Sequence, residues 1–132
     1  MSGQKFHILI VEDEPGVRNS LQMLISSLDH KVSLATNGQE GLQELEADPS
    51  INLLITDITM PKMNGHELIR AIRSHHDARI RTLAIIAMSG RSFEEAVALA
   101  AGANTFLEKP FGPTAFEDAI TKLLPQKSPT AA

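Results

Sequence analysis

Two short apolar runs in this chain both end in acids: His7–Val11 leads into Glu12 and Asp13, and Leu53–Thr56 leads into Asp57. Apolar runs this short, bounded by polar residues, read as buried strands of a parallel sheet. Parallel strands point the same way. If these two are neighbours, their carboxyl ends share one edge and the carboxylates of Glu12, Asp13 and Asp57 converge there. Like charges so placed repel by roughly 3 kcal/mol per pair at ~5 Å and an effective dielectric of ~20. A fold tolerates that repulsion where something cationic is bound, so the pattern asks for a metal ion.

The rest of the chain keeps the alternation going. Pro15 suits a first helical position, and Val17, Leu21, Leu24, Ile25 and Leu28 recur at helical spacing. Lys31–Ala35 is a second strand, followed by the breaker Asn37-Gly38. A short helix carrying Leu42 and Leu45 stops before Pro49. After the loop Met60-Pro61-Lys62-Met63, Asn64 and Glu67 have the spacing of a capping box, opening a helix that buries Leu68, Ile69 and Ile72. Leu83–Met88 is apolar without alternation, as a central strand covered on both faces requires. Ser92 and Glu95 form a second capping-box pattern, predicting a helix with Phe93, Val97 and Ala100 inward, Ala98 and Leu99 outward, and Gly102 as its stop. Thr105–Leu107 is a fifth strand, and Gly112-Pro113 leads into a last helix carrying Phe116, Ile120, Leu123 and Leu124.

Strands alternating strictly with helices predict an α/β fold, a doubly wound parallel sheet of five strands with five helices. Right-handed crossovers cover both faces if the chain reverses direction across the sheet once. The order 2-1-3-4-5, that of flavodoxin-like folds, does this and sets strands one and three side by side, with the ligand site outside their carboxyl ends. Residues 1–132 read as one domain, with a core over about 6–124 and a frayed tail over 125–132.

Composition narrows the function. With a formal net charge of −4 and no basic stripe, no nucleic-acid or anionic-membrane surface is expected. The absence of cysteine excludes disulfides, thiol catalysis and thiolate metal sites, and fits a reducing cytoplasm. No run approaches the ~18 apolar residues of a membrane span, and Met1–Phe6 has no signal-peptide character. A cytoplasmic domain is the expectation. His75-His76 point to different sides of a helix and read as a solvated helix end rather than a metal site; His7, His30 and His66 lie away from the acids in this reading.

Each strand end on the shared edge contributes chemistry. Strand one supplies Glu12 and Asp13, strand three Asp57, strand four Ser89, and strand five is followed by Lys109-Pro110. Such a set can hold a hard divalent cation and accept a phosphoryl group. At this point the chain resembles a two-component response-regulator receiver domain, over essentially all of residues 6–124. The resemblance rests on Ile8-Leu9-Ile10-Val11-Glu12-Asp13-Glu14, Asp57-Ile58-Thr59-Met60-Pro61-Lys62-Met63-Asn64-Gly65, Ile86-Ala87-Met88-Ser89-Gly90 and Phe106-Leu107-Glu108-Lys109-Pro110-Phe111.

That resemblance implies the following roles. Asp57 takes a phosphoryl group from a phosphohistidine of a sensor histidine kinase or histidine phosphotransfer protein. Glu12, Asp13, Asp57 and the backbone carbonyl of Thr59 hold Mg2+, with Mn2+ as a substitute. Lys109 pairs with Asp57 and then with the phosphoryl group. Ser89 contacts the phosphoryl oxygens and, with Phe106, forms the switch, and Lys109-Pro110 is a cis peptide. A downstream protein binds the face made by the fourth helix, fifth strand and fifth helix. Thr59 and Arg91 flank the site and tune the lifetime of the phosphorylated form. The chain departs from the commonest family pattern at Glu12 and Asn64, where Asp is frequent, and at Phe106, where Tyr is common. The product is a phosphorylation-activated switch that catalyses only its own phosphorylation and dephosphorylation.

Other functions fit less well. Because the chain stops after the fifth helix, a stand-alone switch is expected, the alternative being the receiver segment of a longer hybrid kinase or regulator. A magnesium-dependent phosphohydrolase would need a second Asp where Thr59 stands. A flavodoxin-like electron carrier needs a hydroxyl- and Gly-rich loop where Glu12-Asp13-Glu14-Pro15 would repel a flavin phosphate.

Overall fold

Strands β1 (His7–Val11), β2 (Lys31–Ala35), β3 (Leu53–Asp57), β4 (Ala84–Ser89) and β5 (Thr105–Glu108) form one parallel sheet in the order β2-β1-β3-β4-β5. The computed structural model describes residues 5–60 and 62–123; Pro61, Leu124 and the 125–132 tail considered above lie outside the described residues. In the β1–β3 ladder Val11 stands opposite Thr56, so Glu12, Asp13 and Asp57 leave the sheet together.

The central strands are apolar on both faces because both are covered. Alternate residues of β1 divide between two cores: Leu9 and Val11 belong to one, Ile8 and Ile10 to the other. The second core is closed by α1 (Pro15–Ser27) and α6 (Pro113–Leu123), through Leu21, Ile25, Phe116 and Ile120. The first is closed by α2 (Gly38–Ala47), α3 (Gly65–Arg73), α4 (Ala78–Arg81) and α5 (Glu95–Ala101), through Leu45, Leu68, Ile72, Ile80 and Ala98. Burying such side chains is worth about 1.5–3 kcal/mol each, which is what fixes the layered arrangement.

The helices begin where local chemistry allows. Pro15 occupies the first turn of α1. Asn37 caps α2 by accepting from the Glu40 N–H at 2.9 Å. The Asn64–Glu67 capping box is complete, each side chain accepting from the other's backbone N–H at 2.9 Å.

Three expectations are corrected. The described residues hold six α-helices, not five. The extra one, α4, is a single turn capped by Asp77, which accepts from the Arg79 N–H at 2.9 Å and buries Ile80. One turn is too short to show a period in sequence. Strand β4 runs one residue later than the apolar run, because the Leu83 N–H bonds back to Ile80 in the preceding turn.

The third correction concerns the fourth predicted helix, α5. Ser92 makes no cap: Ser92–Glu94 is a 3-10 turn and α5 begins at Glu95. That extra turn rotates the helix, so Ala98 is fully buried, Phe93 is 73% exposed and Val97 47% exposed, with Ala100 also exposed. Only Leu99, 42% exposed, keeps its expected side. Gly102 does end the helix, at a φ of 125° that other residues rarely adopt.

Candidate functional site

The carboxyl edge of β1 and β3 gathers Glu12, Asp13 and Asp57 so that one carboxylate oxygen from each lies within 4.8 Å of the others. Glu12 and Asp57 are buried and Asp13 is half-buried. β5 delivers Lys109 to the same place: its Nζ lies 3.1 Å from Glu12 Oε1 and 3.2 Å from Asp57 Oδ1. The Lys109-Pro110 peptide is cis. The backbone holds the acids as well. Asp57 Oδ1 accepts from the Ile58 N–H at 3.0 Å, and Glu12 Oε2 accepts from the Glu14 N–H at 3.1 Å. Arg18, the cation next along the chain, spends its Nη1 on the Glu12 backbone carbonyl at 2.9 Å rather than on a carboxylate.

Burial pushes the Asp57 carboxyl above the usual carboxylate range, and the Asp13 charge adds to this against the pull of Lys109 and the Ile58 N–H. Burial likewise raises Glu12, with Asp57 adding to it while the Glu14 N–H and Lys109 oppose. For Lys109 burial acts to lower the pKa, but the attraction of Asp57 and Glu12 together outweighs it and holds the ammonium higher than usual.

Three carboxylates and one ammonium leave two negative charges uncompensated. One divalent cation cancels them. The donors are all oxygens, which suit magnesium, and their spacing is close to the span of ligands around an ion that binds at ~2.1 Å. The donor set therefore fits the ion that the sequence asked for.

Ser89 is buried at the end of β4, whose backbone joins the neighbouring strand ends: the Met88 carbonyl accepts from the Ile58 N–H at 3.1 Å and the Ser89 carbonyl from the Lys109 N–H at 2.8 Å. Its hydroxyl, however, donates to the Glu94 carboxylate and accepts from the Arg91 N–H at 3.0 Å. Thr59 is exposed on the loop after β3, and Phe106 is half-buried against the core that α2, α3 and α5 close.

Sequence reasoning missed the groups that set this edge from behind. Gly65 opens α3 so close to the site that a Cβ there would stand 2.3 Å from the Asp57 carbonyl oxygen. Gly38 opens α2 against the loop after β3, where a Cβ would stand 2.6 Å from the Met63 carbonyl. Gly38 was visible only as a breaker and Gly65 only as the last residue of the family motif; the close approach is a tertiary fact. Glu94 was likewise hidden and drew no reading from the sequence.

A family model for the response regulator receiver domain matches residues 8–121. The chain belongs to the response regulator receiver family. It is 33% identical over 120 residues to the chemotaxis protein CheY1 of Helicobacter pylori, covering 89% of this chain and 95% of that protein. It is 34% identical over 121 residues to the "probable transcriptional regulator ycf27" of Cyanidium caldarium, covering 92% of this chain but 47% of that one. The chain thus spans about half the length of some curated relatives it matches. Among solved structures it resembles the receiver domain of sensor histidine kinase PA1611 of Pseudomonas aeruginosa, which has a magnesium ion coordinated in its active-site cleft. That match has a TM-score of 0.80 at 25% identity, covering 90% of this chain and 97% of that one. It also resembles the receiver domain of Ssk1 of Saccharomyces cerevisiae, solved with the histidine phosphotransfer protein Ypd1, with a TM-score of 0.78 at 26% identity, covering 89% and 87%. The five-stranded fold agrees with that of these solved structures.

Proposed function

We propose that this chain is a phosphorylation-activated signalling switch in which Asp57 accepts a phosphoryl group from a phosphohistidine. The observation that carries this reading is Lys109 Nζ set between Asp57 and Glu12 at the edge where the acids converge. Magnesium, held by Glu12, Asp13, Asp57 and the Thr59 carbonyl, would neutralise charge on the phosphoryl oxygens; manganese has the same ligand preference. The chain's own residues do the rest. The Ile58 N–H and Lys109 fix one carboxylate oxygen of Asp57 and so orient the nucleophile. An Asp57 oxygen bonds to phosphorus as the phosphorus–nitrogen bond of the donor breaks, and the donor imidazole leaves with the electron pair. Lys109, the one cation paired with these acids among the described residues, then follows the new negative charge onto the phosphoryl oxygens. Ser89 donates to the same oxygens, and Phe106 responds to its movement.

The donor, a sensor histidine kinase or a histidine phosphotransfer protein, has room to approach. A cleft of about 1010 Å³ lined by Pro15, Val17, Leu21, Leu24, Lys109 and Phe111 opens beside the site. A downstream protein would read the face of α5, β5 and α6, where Phe93, Val97 and Leu99 are exposed. No described helix is long and apolar enough to cross a membrane, and a cytoplasmic signalling protein without a separate turnover substrate is the reading. The relatives of about twice this length support a second one, in which these residues are the receiver segment of a longer regulator.

Incubation with acetyl phosphate and magnesium, followed by intact mass, tests the proposal. The native chain gains one phosphoryl group and Asp57→Asn gains none. No gain, or an equal gain in the variant, overturns it.

A further inference from the structure

Ser89 can give its single hydroxyl proton to one acceptor at a time. In this structure that acceptor is Glu94, on the 3-10 turn that leads into α5, and the Ser89 oxygen already accepts from the Arg91 N–H at 3.0 Å. Ser89 is 3% exposed, so no bulk water competes for the proton. A hydrogen bond to a carboxylate is roughly twice as strong as a neutral one. The Glu94 carboxylate makes no other hydrogen bond or ion pair among the described residues, its backbone N–H being spent on the Arg91 carbonyl at 3.0 Å. The one partner of that carboxylate among the described residues is the hydroxyl that the transferred phosphoryl group would need.

We propose that Glu94 is a positioning residue for phosphorylation: its carboxylate holds the Ser89 hydroxyl in the resting state and competes with the phosphoryl group for the same proton. The inference rests on the phosphoacceptor reading of Asp57. It adds a residue whose effect opposes activation. The two anions exclude one another at Ser89, so occupancy of the site releases Glu94, and an engaged Glu94 weakens occupancy. The release falls on the turn that carries exposed Phe93 and sets the start of α5, so the exchange reaches the apolar face without any movement of the sheet.

The test is a titration with beryllofluoride, a phosphoryl mimic, in the presence of magnesium. The chain has no Trp or Tyr, so bound fluoride is read by fluorine NMR and heat by calorimetry. Glu94→Ala binds beryllofluoride about tenfold tighter than the native chain, equivalent to about 1.4 kcal/mol. Glu94→Gln, which keeps an uncharged acceptor, falls between the two. In a Ser89→Ala background the same substitutions change nothing, because the contested proton is gone; a merely structural role for Glu94 would act equally in both backgrounds. A gain under threefold in Glu94→Ala, or a gain that persists without the Ser89 hydroxyl, overturns the inference and leaves the Asp57 reading intact. Failure of the native chain to bind beryllofluoride overturns both.

Discussion

The two edges of this sheet bury polar groups in opposite ways. At the amino edge, His7 is nearly buried and fully partnered. Ser50 donates to Asp48 at 2.7 Å, so its oxygen accepts from His7 Nδ1 at 2.7 Å, which leaves Nε2 to accept from the Ser33 hydroxyl at 2.7 Å. Asn52 ties the His7 backbone in both directions. Nearby, the Arg73 guanidinium donates to the carbonyls of Gly102, Arg81 and Leu83 and to Asn104, at 2.7–2.9 Å. Nothing there is left wanting. At the carboxyl edge Glu12 and Asp57 share one lysine beside a third acid, Asp13, and burial opposes the charge of the pair. A closed polar network stabilises a fold; one left two charges short stabilises only when a ligand completes it. The closed network and the proposed site lie at opposite ends of the same sheet.

Substitutions sharpen that contrast. Arg73→Met takes the side-chain donor from the carbonyls of Gly102, Arg81 and Leu83, while Asn104 Oδ1 keeps the Ile85 N–H at 2.8 Å, at about 1–3 kcal/mol for each carbonyl that stays buried. We expect a loss of about 3 kcal/mol in urea unfolding with magnesium affinity unchanged; an unfolding midpoint within error of native would break the comparison. Gly65→Ala lies at the other edge, where the new Cβ meets the Asp57 carbonyl. It should lower stability by about 2 kcal/mol and slow phosphorylation more than tenfold, read by the acetyl-phosphate mass assay. Equal phosphorylation rates would mean that α3 does not set the position of Asp57.

Asp57→Asn has the reverse sign. It removes two repulsions and one attraction, so without magnesium it should stabilise the chain by about 1 kcal/mol at neutral pH. Added magnesium should raise the native chain and leave the variant unmoved. A destabilised variant would show that the carboxyl edge is already satisfied.

The smallest effect is the pH dependence, and the edges oppose each other there too. Burial lowers His7, with Lys31 assisting and Asp48 opposing, and burial lowers His30, whose Nδ1 must stay unprotonated to accept from the Phe6 N–H at 3.0 Å. A lowered folded pKa means stability present above the unfolded value of about 6.5 and lost as pH falls below it. Glu12 and Asp57 are raised, so their contribution is complete below the ordinary carboxylate range and is lost as pH rises through their folded values. The unfolding free energy from urea titration should fall between pH 7 and pH 5.5 in the native chain by about 1 kcal/mol or less, and less in His30→Gln. The Asp57→Asn advantage should shrink as pH approaches 4.

How much of this was legible depended on range. β1 and β3 carry their apolar runs and terminal acids openly, so the acid cluster could be read from two strand ends and one topological rule. The Asn64–Glu67 cap was equally local. α5 was misread because Ser92 and Glu95 imitate a cap, and Ala98 hides its burial behind a small side chain while Phe93 and Val97 advertise a core they do not join. His75, expected on a solvated helix end, has a side chain only 10% exposed and pairs with Glu46 at 2.9 Å. Arg73, Gly65 and Glu94 act through partners 5 to 31 residues away. No window of sequence displays such a contact.

Calorimetric titration with magnesium addresses the unfinished carboxyl edge most directly. The native chain should take up one ion, and Asp13→Asn, which keeps the shape but removes one charge, should bind at least about tenfold more weakly. Absence of binding by the native chain, or equal binding by both, would contradict the account.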